Sequence, residues 1–140
     1  MSARAFLDTN VLVYTFDGSS ERKRARATEL VNGALVDRSA MISFQVVQEF
    51  LNVATRKFAK PMTEADASLY LRRVLDPLCE VHSSPALYEQ ALDIRERWHF
   101  SFFDALIVAA ALAGGCETLY SGDVQHGQKV RELTVINPFQ

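Results

Sequence analysis

The sequence predicts an α/β domain with a mainly parallel β-sheet and helices on both faces. Three observations predict it. Short apolar runs of strand length alternate with longer stretches of helical period along the 140 residues. No low-complexity stretch, long linker or repeat interrupts the alternation. The composition, 49% hydrophobic and 23% charged with 6 Gly and 4 Pro, is that of a globular chain; it excludes disorder, collagen and coiled coil. The length suits one domain over residues 1–140, large enough to bury roughly 68% of the surface its unfolded chain exposes.

Taken in order, Arg4–Asp8 is a short apolar first strand, followed by a short turn or helix. Ser20–Val36 reads as a helix, because Ala27, Leu30, Val31, Ala34 and Leu35 recur on one face. Ala40–Phe44 is the second strand, and Val47, Phe50, Leu51, Ala54 and Phe58 then line one helical face. Thr63 and Asp66 form a capping pattern that opens a helix through about Leu75. Leu78–His82 is a third strand, and Ser84-Pro85 starts a helix whose inner face is Leu87, Ala91, Ile94 and Trp98. Ser101 and Asp104 cap a helix, Phe102–Ala113, that is apolar almost all round and therefore buried, and Gly114-Gly115 ends it. Glu117–Ser121 and Leu133–Asn137 complete the strands.

Several classes fall away. The longest apolar run, Ala105–Ala113, has nine residues, against the roughly 20 that a bilayer requires. Asp8 interrupts any secretory apolar region near the N-terminus. Cys79 and Cys116 form neither a C-x-x-C nor a disulfide framework, so a reducing cytoplasm is the expected compartment. There is no G-x-G-x-x-G, no phosphate-binding G-x-x-x-x-G-K-[ST] and no G-x-S-x-G, and His82, His99 and His126 lack zinc spacing. Fifteen Lys and Arg against 17 Asp and Glu give −2, which argues against a general nucleic-acid binder.

Four acids map to one edge. In parallel α/β sheets, sites lie outside the carboxyl ends of the strands, and right-handed crossovers return those ends to one side. Asp8 ends the first strand, Glu49 lies one turn into the helix after the second, Asp104 is in the first turn of the apolar helix, and Asp123 follows the strand Glu117–Ser121. Asp8 and Asp104 stand in core-like surroundings, and the nearest cation in sequence is Arg4, four positions before Asp8. Clustered carboxylates without cations repel and have raised pKa values. Their natural partner is a hard divalent cation, Mg²⁺ or Mn²⁺. Simpler readings stand beside this: Asp8 as a turn cap, Asp104 as a helix cap, Glu49 as a solvated helix residue, Asp123 as a turn aspartate. A haloacid-dehalogenase-type phosphoryl transfer would need D-x-D where the chain has Asp8-Thr9-Asn10.

Phe6–Tyr14 (FLDTNVLVY), Gln48–Phe50 (QEF), Ser101–Ala111 (SFFDALIVAAA) and Leu119–Asp123 (LYSGD) together resemble the PIN domain. More narrowly, they resemble the VapC-type toxins of bacterial toxin–antitoxin pairs. The likeness runs from Phe6 to about Asp123. It implies a Mg²⁺- or Mn²⁺-dependent endoribonuclease that hydrolyses RNA with a metal-activated water, a homodimer, and a cognate antitoxin bound near the active site. By the same resemblance, Asp8, Glu49, Asp104 and Asp123 match the acidic positions. Asp8 and Asp104 are the expected primary ligands, Glu49 a ligand or base, and Asp123 a holder of a second metal or of water. Thr9, Asn10 and Ser121 match polar positions expected to meet substrate, and Gly122 is expected to loosen the turn before Asp123. Gln48, beside Glu49, has a weak claim to a substrate role and reads first as a solvated glutamine.

Setting those four acids aside leaves 13 against 15 basic residues. Arg22, Lys23, Arg24 and Arg26 form one basic cluster, and Arg56, Lys57 and Lys60 a second; each is a phosphate track or a solvated helix face. Trp98, Phe100, Phe102 and Phe103 border the Asp104 helix as core residues, base-stacking rings or an antitoxin contact. Two rivals remain. One is a PIN-like RNA-binding module without catalysis. The other is an acidic-pocket phosphoryl-transfer domain, for which Lys129 is the nearest candidate lysine.

Overall fold

A computed structural model describes residues 4–123 and 126–140. Its strands are β1 (Ala5–Leu7), β2 (Ala40–Ser43), β3 (Cys79–Val81), β4 (Thr118–Tyr120), β5 (Lys129–Val130) and β6 (Leu133–Ile136). The helices are α1 (Thr9–Tyr14), α2 (Glu21–Asp37), α3 (Phe44–Arg56), α4 (Glu64–Tyr70), α5 (Asp76–Leu78), α6 (Pro85–Trp98) and α7 (Phe102–Ala113). The sheet has the order β3-β2-β1-β4-β6-β5 and is parallel except for the edge pair β5–β6. Central β1 is buried along its whole length and pairs on both sides, Phe6 opposite Met41 and Leu119. That is why it reads as a continuous apolar run rather than an alternation.

Connectivity sets the layers. From β1 the chain steps outward to β2 and β3, then returns across the sheet to β4 and continues to β6. Right-handed crossovers in opposite directions place α2–α5 on one face and α6–α7 on the other. Accordingly α1 packs on α2 and α3, while α6 packs on α7. The direction of winding reverses between β1 and β4, so a crevice opens outside their carboxyl ends.

Local rules explain the elements. Ser20, Thr63, Ser84 and Ser101 each accept a backbone N–H at a helix start. Ala105–Ala111 of α7 are all buried, as the apolar sequence requires. Gly114 lets the end of α7 approach β2: a Cβ there would overlap Met41 Sδ.

Three features depart from expectation. The helix opened by Thr63 runs on through a π-helical turn, Leu71–Leu75, into α5. Pro77 has no N–H to give a regular helix, and the widened turn takes up that mismatch. Strand β5 has no sequence signature: it is two residues long, and its turn places Arg131, not Gly or Asn, at φ 55. In α2, Leu35 is exposed, so the buried stripe is narrower than the periodicity implies. No helix among the described residues is long and apolar enough to cross a membrane.

Candidate active site

The crevice between β1 and β4 holds Asp8. Its backbone is fixed from both sides, because Asp8 N–H donates to Tyr120 O at 3.0 Å and Asp8 O accepts from Val11 at 3.1 Å. The residue is only 7% exposed. Oδ1 accepts the Thr9 N–H at 2.7 Å, capping α1, and Oδ2 accepts the Ser121 hydroxyl at 2.8 Å. No Lys or Arg pairs with it among the described residues. Burial pushes its carboxyl from the ordinary 3.8 up to about 6. The Ser121 and Thr9 bonds oppose that rise, and the charges of Glu49 and Asp123 add to it. Repulsion among acids is therefore the smaller cause and desolvation the larger.

The neighbours form a hydrogen-bonded frame. Thr9 Oγ1 donates to Glu49 Oε1 at 2.8 Å, joining α1 to the second turn of α3. Ser121 is fully buried, and its Oγ also accepts the Asp123 N–H at 3.1 Å. Asn10 Oδ1 accepts the Gly122 N–H at 3.1 Å. The turn before Asp123 is thus pinned by Asn10, not loosened by its glycine. Thr9, Asn10 and Ser121, expected at the substrate, spend these polar atoms on the frame that holds Asp8, Glu49 and the Asp123 turn.

Asp104 corrects an expectation. It is exposed, although the sequence around it is core-like. In the first turn of α7 Phe102 packs inward while Phe103 and Asp104 face outward, and full burial begins at Ala105. Its N–H is capped by Ser101 Oγ at 3.2 Å. The start of α7 is nevertheless tied to α3: Gln45 Nε2 donates to Phe103 O at 3.1 Å. Gln45 is one turn before Glu49 on the same face of α3. Sequence reasoning passed over Gln45 and considered Gln48, which is exposed. The available signal was Gln45 at four before Glu49, directly after a strand end.

The charges of Glu49 and Asp123 act on Asp8 in the crevice, whereas Asp104 is not among the charges that shift it; Asp8 is a buried carboxylate with no cation partner among the described residues. That chemistry fits a hard divalent ion. As the side chains stand, no three His, Cys, Asp or Glu among the described residues group closely enough to hold one. Asp8 and Glu49 are turned onto protein donors, each carboxylate oxygen keeping a further lone pair.

The basic clusters separate. Arg24 and Arg26 are paired with Glu21 and Glu29 at 2.7 and 2.9 Å on the solvated face of α2. Lys57 and Lys60 line a groove of about 700 Å³ with Val13, Phe16 and Phe58. Of the four aromatics near α7, Trp98, Phe100 and Phe102 pack against the core, while Phe103 is 65% exposed.

A family model described as the PIN domain matches residues 5–131. The chain belongs to the PIN domain family. No curated protein matches it in sequence. Among solved structures, this PIN domain is similar to a toxin–antitoxin complex from Klebsiella pneumoniae, at 20% identity and TM-score 0.70, covering 96% of this chain and 97% of that one. It is similar to the VapC20 toxin of Mycobacterium tuberculosis, described as cleaving the sarcin–ricin loop, at 24% identity and TM-score 0.62, covering 85% and 91%. A third likeness is to VapBC2 from Rickettsia felis bound to a promoter DNA fragment, at 18% identity and TM-score 0.63, covering 94% and 96%. These likenesses establish a shared fold over nearly the whole chain.

Proposed function

We propose that this PIN domain is a divalent-metal-dependent endoribonuclease acting as the toxin of a toxin–antitoxin pair, cytoplasmic and homodimeric. The observation that carries the nuclease reading is Asp8: a buried carboxylate without a cation, at the reversal point of the sheet, with the charges of Glu49 and Asp123 close enough to raise its pKa. The toxin reading is supported by the solved relatives, among them toxin–antitoxin complexes and a toxin described as cleaving an RNA loop. A cognate antitoxin is the protein partner this reading assigns.

Asp8 and Asp104 would hold the cation, Mg²⁺ or Mn²⁺, with Glu49 and Asp123 beside them. When bound, such a cation neutralises charge on the scissile phosphate and makes water a better nucleophile. The chain's own contribution is orientation. Ser121 and the Thr9 N–H fix both oxygens of Asp8, and Thr9 Oγ1 fixes Glu49 Oε1. Glu49 Oε2 would then take the proton of the attacking water as the phosphorus–oxygen bond to the leaving ribose breaks. Lys57 and Lys60, which line an aromatic groove at the end of α3, would contact RNA phosphates on this reading.

The test incubates labelled single-stranded RNA with the protein in Mn²⁺, in Mg²⁺ and in EDTA, beside Asp8→Asn and Glu49→Gln. Cleavage should require metal, and Glu49→Gln should lose roughly 10²–10⁴-fold if it is the base. Cleavage that survives both chelation and Asp8→Asn rejects the mechanism. Induction in a bacterial host should arrest growth for wild type and not for Asp104→Ala at matched expression; equal growth rejects the toxin role.

A further inference from the structure

Gln45 is one of the few buried polar residues outside the acids, 4% exposed. A buried polar side chain calls for an explanation in a way an exposed apolar one does not. Its amide is satisfied on one side only. Nε2 donates to Phe103 O at 3.1 Å, and because that carbonyl can only accept, the amide orientation is fixed. Oε1 is buried with no partner among the described residues. A leucine or methionine would fill the position without leaving an unpaired acceptor in the interior. Burying that acceptor costs roughly 1–3 kcal/mol, so stability does not account for glutamine here.

The bond's location does. It joins the first turn of α3 to the first turn of α7, elements otherwise separated by 45 residues of chain from Lys57 to Ser101. Four residues on from Gln45, on the same face of α3, is Glu49, itself held to α1 by Thr9. One residue on from Phe103 is Asp104. In the first turn of α7, Phe103 and Asp104 are exposed while Phe102 packs against the core. Phe102 and Ala105 pack on either side of Asp104 and set the axis of α7; the bond from Gln45 is the side-chain tie from α3 to this turn, whereas the cap from Ser101 acts within α7.

We propose that Gln45 is a positioning residue: its amide ties the start of α7 to α3 and so sets where Asp104 stands relative to Glu49 and Asp8. The proposal rests on the nuclease reading above and adds to it the residue that brings the exposed acid to the buried one.

The test is a double-mutant cycle on the full chain: wild type, Gln45→Met, Asp104→Asn and both together. Melting in EDTA checks the fold of each. Mn²⁺ affinity is read by electron paramagnetic resonance of the free ion, and RNA cleavage as separate kcat and KM. Gln45→Met should weaken Mn²⁺ binding and lower kcat by roughly 10–100-fold, the usual effect of losing a group that orients a ligand, with KM for RNA near wild type. In the Asp104→Asn background the same change should alter Mn²⁺ affinity by under about 2-fold, because the two residues act through one placement. An equal loss in both backgrounds, or wild-type Mn²⁺ affinity in Gln45→Met, overturns the proposal. Should Gln45→Met not fold, Gln45→Leu takes its place; it is uncharged and has no proton to donate. A wild type that neither binds Mn²⁺ nor cleaves RNA refutes the nuclease reading and this proposal with it. A wild type that does both beside a variant that matches it refutes the proposal alone.

Discussion

Replacing Asp8 by Asn should stabilise the metal-free protein while abolishing its chemistry. The carboxylate is 7% exposed and titrates near 6 instead of 3.8, chiefly because burial strips its water. That difference, at ~1.36 kcal/mol per pH unit, is a penalty of about 3 kcal/mol on the ionised form. A folded pKa above the unfolded one favours folding while the group is protonated. Wild-type stability in EDTA should therefore fall as pH rises from about 4 to about 6 and then level off. Asn keeps the shape, carries no charge and should show no such fall. Its Oδ1 can keep the Thr9 N–H, but its Nδ2 must meet Ser121 Oγ as a donor, which takes back part of the gain. We expect about 1–3 kcal/mol in favour of Asp8→Asn at pH 8, and parity at pH 4. At roughly 3–5 °C per kcal/mol, the melting temperature should rise by about 3–15 °C. Mn²⁺ at 100 times its Kd should restore about 2.7 kcal/mol to the wild type and nothing to the variant. Thermal melts at pH 4 and pH 8, each with EDTA and with Mn²⁺, measure all of this. An Asp8→Asn protein no more stable than wild type at pH 8 in EDTA would refute the argument that burial burdens this carboxylate.

Ser121→Ala should push the Asp8 carboxyl further up, since the lost hydroxyl favours the charged form. Urea midpoints should then show a loss of about 1.5–3 kcal/mol at pH 8 and a smaller one at pH 4, with the fall in stability displaced to higher pH. Thr9→Val removes the 2.8 Å bond to Glu49 on a half-buried side chain. Stability should change by no more than about 1 kcal/mol, while kcat falls roughly tenfold in the RNA assay. Gly114→Ala should cost about 1–3 kcal/mol by urea unfolding, because its Cβ overlaps Met41 Sδ in the core; Gly18→Ala, with nothing within 4 Å, is the neutral control.

The site was partly legible for a physical reason. A carboxylate inside an apolar run, as in Phe6-Leu7-Asp8 before Val11-Leu12, contradicts its surroundings, and such contradictions can be read one residue at a time. Asp104 sent the same signal, yet its side chain is exposed. Sequence periodicity gives the environment of a helix; it does not say where the packed layer ends along it. Ser121 and Asn10 looked like substrate contacts because polar side chains near an acid allow either role. Only in the folded chain are their atoms seen to be taken up by Asp8 and by Gly122. Gln45 left almost no trace, because its role depends on a carbonyl 58 residues away.

By itself the sequence determined the α/β class, most of the strand and helix spans, the serine and threonine caps and the burial of α7 from Ala105 onward. All of these follow from local propensity and from apolar spacing that lies within one element, so short-range pattern suffices. Tertiary structure alone decided the strand order, the reversal between β1 and β4, the antiparallel edge at β5, and which polar side chains serve as frame. Those depend on contacts between segments far apart in the chain, where no local rule specifies the partner. The free energy of each such contact exists only once the sheet has brought the two segments together.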